Sequence, residues 1–252
     1  MTYNTEGIIL KYRDIGEYDR IYTVLTVEHG KIEAWAQGVR KPKSKLVAHL
    51  QPLYFCDFMF ARGRRFDRVA QVKVLNRFPD LWADLEKLSQ ASYAVSLVDL
   101  VLRPGTKEHA VFDILRTTMT LLEQGDGSLG MLFSLKLLRV TGFSPELHHC
   151  VLCKKIVEGL SRPFNAMRGG VMCVDCVAKE GSESFPVSSL TLDTLELILD
   201  SPLSRLEMPE TVRRELATIA EAMVIAHFGE EPRSRRFIDL FAQEPLYAVG
   251  TV

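Results

Sequence analysis

Two Cys-x-x-Cys pairs, Cys150 with Cys153 and Cys173 with Cys176, constrain this chain more tightly than any other feature. The intervening residues, 154–172, set the pairs at the separation of a four-thiolate zinc site. Each pair forms a tight knuckle that aims two sulfurs at one tetrahedral ion, and the ribbon between them brings the knuckles together. With all four positions taken by protein, such an ion is structural and offers no open place for chemistry. Two structural disulfides are the competing arrangement, and an intracellular setting disfavours them. The expectation is one structural Zn²⁺ per chain, a reducing compartment, and a zinc segment over 148–178 that lacks a large apolar core. Cys56, the fifth cysteine, sits in an apolar strand and reads as a small core residue rather than a nucleophile.

A chain of 252 residues has room for one large domain or a few small ones. No apolar run approaches the roughly 18 residues that a membrane-spanning helix needs. The start, Met-Thr-Tyr-Asn-Thr-Glu, lacks the basic and apolar regions of a signal peptide, so a cytoplasmic protein without membrane contact is expected. Net charge is −1, but it is unevenly spread. Residues 1–80 hold 14 Lys/Arg against 9 Asp/Glu, and residues 81–252 hold 17 against 23. A basic unit is joined to an acidic remainder.

The basic unit reads as β. The runs Gly7–Lys11, Ile21–Thr26 and Lys31–Ala36 are short, β-branched or alternating, and His29-Gly30 signals a hairpin between the second and third. Tyr54–Ala61 and Arg68–Leu75 supply two more strands around a turn at Gly63. In the first of these, Tyr54, Cys56, Phe58 and Phe60 share one face. Five strands with a long third connection suit an OB-fold barrel, and the strand count alone also fits an SH3-like barrel. From Leu81 the apolar period becomes helical. One long helix is expected to stop at Pro104-Gly105, and a second to end at Gly125. A third, capped by Ser128, is apolar nearly all round and reads as the centre of a bundle, and a last one runs from near Pro209 to Gly229. The predicted architecture is α+β and multidomain. It places an OB-type barrel over 1–80 and a helical domain over 81–252 with the zinc segment inserted.

Two basic clusters lie on connections of the barrel. Arg40, Lys41, Lys43 and Lys45 follow the third strand, and Arg62, Arg64, Arg65 and Arg68 surround the Gly63 turn. On an OB barrel that turn is one of the loops that grip oligonucleotides. Lys/Arg loops of this kind suit phosphates because each neutralised phosphate releases counterions. Tyr22, Trp35, Tyr54 and Phe66 lie nearby, and those that face outward could stack on unpaired bases. Solvated loops and core aromatics are the bland alternative.

The same stretch carries a resemblance. Gly16-Glu17-Tyr18-Asp19-Arg20, Thr26–Lys31, Ala36–Ser44, Leu50-Gln51-Pro52, Leu137–Pro145 and Ser234-Arg235-Arg236-Phe237 together resemble the RecO family of recombination mediators. The match runs through essentially the whole chain. It implies an N-terminal OB-fold, a helical domain and, in many members, a four-cysteine zinc site. It also implies binding of single- and double-stranded DNA, ATP-independent annealing, and work on strands coated with single-stranded-DNA-binding protein. RecR, and in some lineages RecF, are the implied partners in loading the RecA recombinase, and the acidic-apolar tail of the single-stranded-DNA-binding protein should dock on the helical half. Within the motif, Glu17 and Asp19 cannot grip phosphate and are expected to bond Arg20 or turn amides.

An enzyme is not expected. None of the six histidines is followed two residues later by Glu, which excludes the zinc-deaminase signature. Neither a phosphate-binding Gly-x4-Gly-Lys-Ser/Thr loop nor His-Glu-x-x-His occurs. The competing function class is a zinc-containing adaptor of a repair complex that binds proteins and touches DNA incidentally.

Overall fold

The computed structural model describes residues 1–125, 129–181, 183–204 and 206–229. Strands β1 (Thr2–Ile15), β2 (Asp19–Thr26), β3 (Gly30–Ala36), β4 (Phe55–Ala61) and β5 (Asp67–Asn76) close into a barrel in the order β1-β2-β3-β5-β4. All pairs are antiparallel except β3 with β5. This is the OB-type barrel, and the long connection after β3 makes that parallel closure possible. β1 extends well beyond the run Gly7–Lys11 because it serves two neighbours: Thr2–Ile8 pairs with β4 and Gly7–Ile15 with β2. A register shift between Ile9 and Lys11 bends it from one to the other.

Strand alternation fills the barrel. Cys56, Phe58 and Phe60 point inward and are buried, with the two phenyl rings stacked at 5.0 Å. Tyr54 precedes the strand, is partly buried against the same barrel core, and also meets Trp82 edge-on at 6.4 Å. Tyr22 is fully buried in the barrel core and is therefore no stacking surface. Burial pushes the Cys56 thiol up to about 12, against the weaker pull of Arg77, so it is an inert core group.

The helical half contains α1 (Pro79–Ala83), α2 (Leu85–Val101), α3 (His109–Gln124) and α4 (Gly130–Val140). The single helix expected from Leu81 is broken. Asp84 adopts an extended conformation that ends α1, and its carboxylate then caps α2 by accepting from the Glu86 and Lys87 amides. The expected cap Ser128 lies outside the described residues, and the Gly130 amide is instead held by the Gln90 side chain at 2.7 Å. α4 is the buried centre that its sequence suggests, with Leu132, Phe133, Leu135, Leu137 and Leu138 enclosed by its neighbours.

Between α4 and the last helices lie β6 (Ser161–Asn165), β7 (Gly170–Val171), α5 (Val174–Glu180) and β8 (Phe185–Ser188), then α6 (Ser189–Asp200) and α7 (Glu210–Phe228). The three strands form a small sheet, β7-β6-β8. The zinc segment thus differs from the expected coreless ribbon. Leu147, Val157, Phe164, Val171 and Met172 are buried and continuous with the helical core.

Barrel and helices share that core through Ile8, Leu10, Leu25 and Phe78. The junction is pinned by Lys31, 7% exposed, whose ammonium reaches Asp99 Oδ1 at 2.8 Å and the Leu102 carbonyl at 2.7 Å. Gly30 permits the approach. A Cβ there would stand 1.9 Å from the Thr106 carbonyl oxygen, and its φ of +66° lies in the left-handed region that favours glycine. Among the described residues no helix is long and apolar enough to cross a membrane.

Candidate nucleic-acid interface and metal centre

The first knuckle is a small hairpin. The Cys150 amide donates to the Lys155 carbonyl at 2.8 Å, and the Lys154 amide returns to the Cys150 carbonyl at 2.9 Å. Lys154 takes a positive φ of 63° to make that turn. The second knuckle uses a helix start: Cys173 is the N-cap of α5 and Cys176 lies in its first turn. A Val151 amide to Val171 carbonyl bond of 3.0 Å ties one knuckle to the other. The four Sγ atoms all lie within 4.8 Å of one another, and Cys153 and Cys173 are 3.7 Å apart. A tetrahedral ion with Zn–S of about 2.3 Å requires sulfurs about 3.8 Å apart, so the cluster fits zinc.

Electrostatics favour the same assignment. Burial resists ionisation of Cys150, but the amides of Cys153, Cys173 and Leu152 outweigh it and draw that thiol down to about 6. Cys176 is pushed up to about 12, chiefly by the hydrogen bond with Cys173. Sulfurs this crowded cannot all ionise unless a cation lies among them. His148 and His149 do not complete the set. His148 Nε2 bonds Glu196 at 2.9 Å, and His149 Nδ1 is 3.5 Å from Glu146.

On the barrel, all eight nominated cations are exposed. Arg40 and Arg62 have carboxylate partners, Asp14 at 3.3 Å and Asp67 at 3.6 Å. Among the described residues Lys41, Lys43, Lys45, Arg64, Arg65 and Arg68 have none. Several lie against rings instead: Lys41 at Tyr18 (5.7 Å), Arg62 at Tyr3 (4.2 Å), Arg65 at Phe66 (5.1 Å) and Arg68 at Trp35 (5.7 Å). The two basic segments flank the outer face of β3. Arg68 hydrogen-bonds Gln37 at the start of the first segment, and the Arg40 amide donates to the Tyr18 carbonyl in the β1–β2 turn at 2.9 Å.

Among the described residues the helical half offers an apolar groove of about 90 Å³, lined by Leu132, Leu197, Pro202, Leu203 and Leu206 around the buried Lys136. The Lys136 ammonium donates to the Leu199 carbonyl at 3.0 Å and to the Ser201 carbonyl.

The barrel and the helical half coincide with the two matched regions of one family of proteins. The model of the recombination protein O N-terminal region matches residues 1–78, and that of its C-terminal region matches residues 83–236. The DNA repair protein RecO of Pelotomaculum thermopropionicum is 33% identical over 247 residues, 96% of each chain. That of Desulforudis audaxviator is 33% identical over 240 residues, covering 94% of this chain and 96% of its own. That of Moorella thermoacetica is 34% identical over 249 residues, covering 94% and 90%. The chain belongs to the RecO family.

Some features of the candidate interface on this RecO chain are not legible in its sequence. Asp19 bonds a turn amide as expected, that of Gly38 at 2.6 Å; what the sequence does not show is its second bond, from the Trp35 indole at 3.0 Å, and that Arg20 pairs with Asp14 instead. Arg13 faces outward on β1 beside Glu33 and Phe66. The alternation of Lys11 and Arg13 with tyrosine at position 12 is the available signal, masked because the apolar run that marks β1 ends before it. Arg235 and Arg236 of the family motif lie outside the described residues.

Proposed function

We propose that the protein is a non-enzymatic recombination mediator. It binds single- and double-stranded DNA on the barrel, anneals complementary strands without ATP, and with RecR helps load RecA on strands coated with single-stranded-DNA-binding protein. RecF joins this assembly in some lineages. The observation that carries the reading is the set of exposed loop cations with no carboxylate partner: an unpaired cation is available to phosphate, whereas a paired one must first be released. The contact residues are Arg40, Lys41, Lys43, Lys45, Arg62, Arg64, Arg65 and Arg68. Cys150, Cys153, Cys173 and Cys176 hold one structural zinc ion that fixes the fold of the segment and supplies no chemistry. The barrel unit over 1–80 handles DNA and the helical unit over 81–252 handles proteins, with the tail of the single-stranded-DNA-binding protein on the helical side. The setting is the cytoplasm, at the nucleoid.

The mechanism is electrostatic. Cations along the barrel hold one strand by its phosphates and screen the repulsion of a second, and base pairing supplies the specificity. The test is the annealing rate of two complementary oligonucleotides, each coated with the cognate single-stranded-DNA-binding protein, without ATP. Acceleration by this protein is expected. A folded, zinc-loaded sample that leaves the rate unchanged removes the mediator reading and leaves a protein adaptor.

A further inference from the structure

The two basic segments border a cross-strand row on the barrel's outer face. Arg13 on β1 is in register with Ile21 on β2, Ile21 with Trp35 on β3, and Trp35 with Arg68 on β5. Residues in register share one side of the sheet, here the side opposite the barrel interior filled by Tyr22, Ala34 and Ala36. Ile21 is 1% exposed and forms an apolar floor, Trp35 is half-buried beside it, and the arginines stand exposed at both ends. Phe66 reaches in from the 62–66 turn, its ring centroid 5.7 Å from the Arg13 guanidinium carbon. The indole N–H is tied to Asp19, so the orientation of the ring is set before any ligand arrives.

We propose that this row is a stacking subsite for one unpaired base, with Trp35 as the platform and Arg68 as a cover that moves aside to admit it. The inference rests on the nucleic-acid reading above and names the form of ligand that reaches this part of it. The pair is open rather than closed, and unlike the other cation–ring pairs it lies within the cross-strand row. Arg20 sits 3.9 Å over Tyr12, a closed stack, whereas Arg68 is 5.7 Å from the Trp35 centroid. A base sandwiched between two planes needs them about 6.8 Å apart, twice the roughly 3.4 Å spacing of stacked bases, so the guanidinium swings outward to admit it. Only the neutral side chain of Gln37 holds it, with no carboxylate to break. Once admitted, the base meets an aromatic face on one side and a guanidinium plane on the other, both attractive to any base. A paired base has its faces covered by its own neighbours and does not enter, so a duplex meets only the surrounding cations. The subsite therefore favours single strands and loses its hold on each base as that base pairs, which gives annealing a direction.

The chain has two tryptophans, so Trp82→Phe leaves Trp35 as the sole indole. In that background, oligo-dT is expected to quench or shift Trp35 fluorescence, and a duplex of equal length is not, although anisotropy shows both bound. Trp35→Leu is expected to weaken oligo-dT roughly tenfold and to leave duplex affinity within about twofold, with Trp35→Phe restoring most of the loss. Equal loss on both ligands, no loss on either, or an unresponsive Trp35 at saturating oligo-dT overturns the subsite while leaving DNA binding by the barrel intact. Failure of either nucleic acid to bind the parent protein at all removes both this inference and the function on which it rests.

Discussion

Asp19 accepts from the Trp35 indole with one oxygen and from the Gly38 amide with the other, so one carboxylate fixes a ring on β3 and the start of the basic connection. Gly38 sits at a φ of +66°, a turn conformation that this bond helps to hold. Asp19→Ala leaves two donors without their charged acceptor in a half-buried place. A loss of about 2 kcal/mol is expected, the size of one hydrogen bond to a charged group after water repairs part of the damage. Urea unfolding checks it. A midpoint within error of the parent would mean that water replaces the carboxylate at no cost. Asp19→Asn keeps an acceptor for one donor and should recover part of the loss.

Elements meet in two places that a change in solution conditions can probe. At the barrel–helix junction, Asp99 on α2 receives Lys31 at 2.8 Å and Lys11 at 2.5 Å. Burial works to raise its carboxyl, but these two cations win and hold it below the ordinary 3.8. The folded state therefore binds this proton less tightly than the unfolded chain. Its stabilisation is complete above the unfolded value near 3.8 and drains away as pH falls through the lower folded value. Asp99→Asn should cost about 2 kcal/mol at pH 7, leaving Lys31 buried on carbonyls alone, and the gap between variant and parent should narrow below about pH 4. A gap constant down to pH 3 would place the effect in packing instead. At the knuckles, Cys173→Ser is expected to lose the metal and lower the melting temperature, because ordering of 150–176 is coupled to coordination. Metal analysis of the purified variant decides it, and a full zinc content would point to other ligands. Both knuckles were legible from spacing alone, as were the five strands from β-branched or alternating runs between turn residues. The break at Asp84 and the helix α6 were not, although Ser188 before Leu192, Leu195 and Leu199 carries a helix signal. The strand β7 spans two residues, too few for any period, and its pairing is set by tertiary contacts around the cysteines.

At the scale of the whole molecule, the charge asymmetry becomes a division of surfaces. The basic unit curls into a barrel whose loops carry unpaired cations, and the acidic remainder wraps its apolar residues into a bundle joined to that barrel through a shared core. What the sequence left open was which cations are available, because pairing depends on the folded geometry: Asp14 on β1 reaches Arg40, and Asp67 at the start of β5 reaches back across the turn to Arg62. Arg64 and Arg65 sit at an exposed turn without such partners among the described residues, which makes them the better test of phosphate contact. If each neutralises one phosphate, Arg64→Glu with Arg65→Glu removes two counterion-release events. The slope of log K against log salt for single-stranded DNA should then fall by about 1.4. Affinity should drop most at low salt, while melting temperature and zinc content stay at parent values, since neither side chain is buried. A titration of oligo-dT binding between low and moderate salt measures both quantities. An unchanged slope would move the phosphate path off the β4–β5 turn and onto the connection that carries Lys41, Lys43 and Lys45.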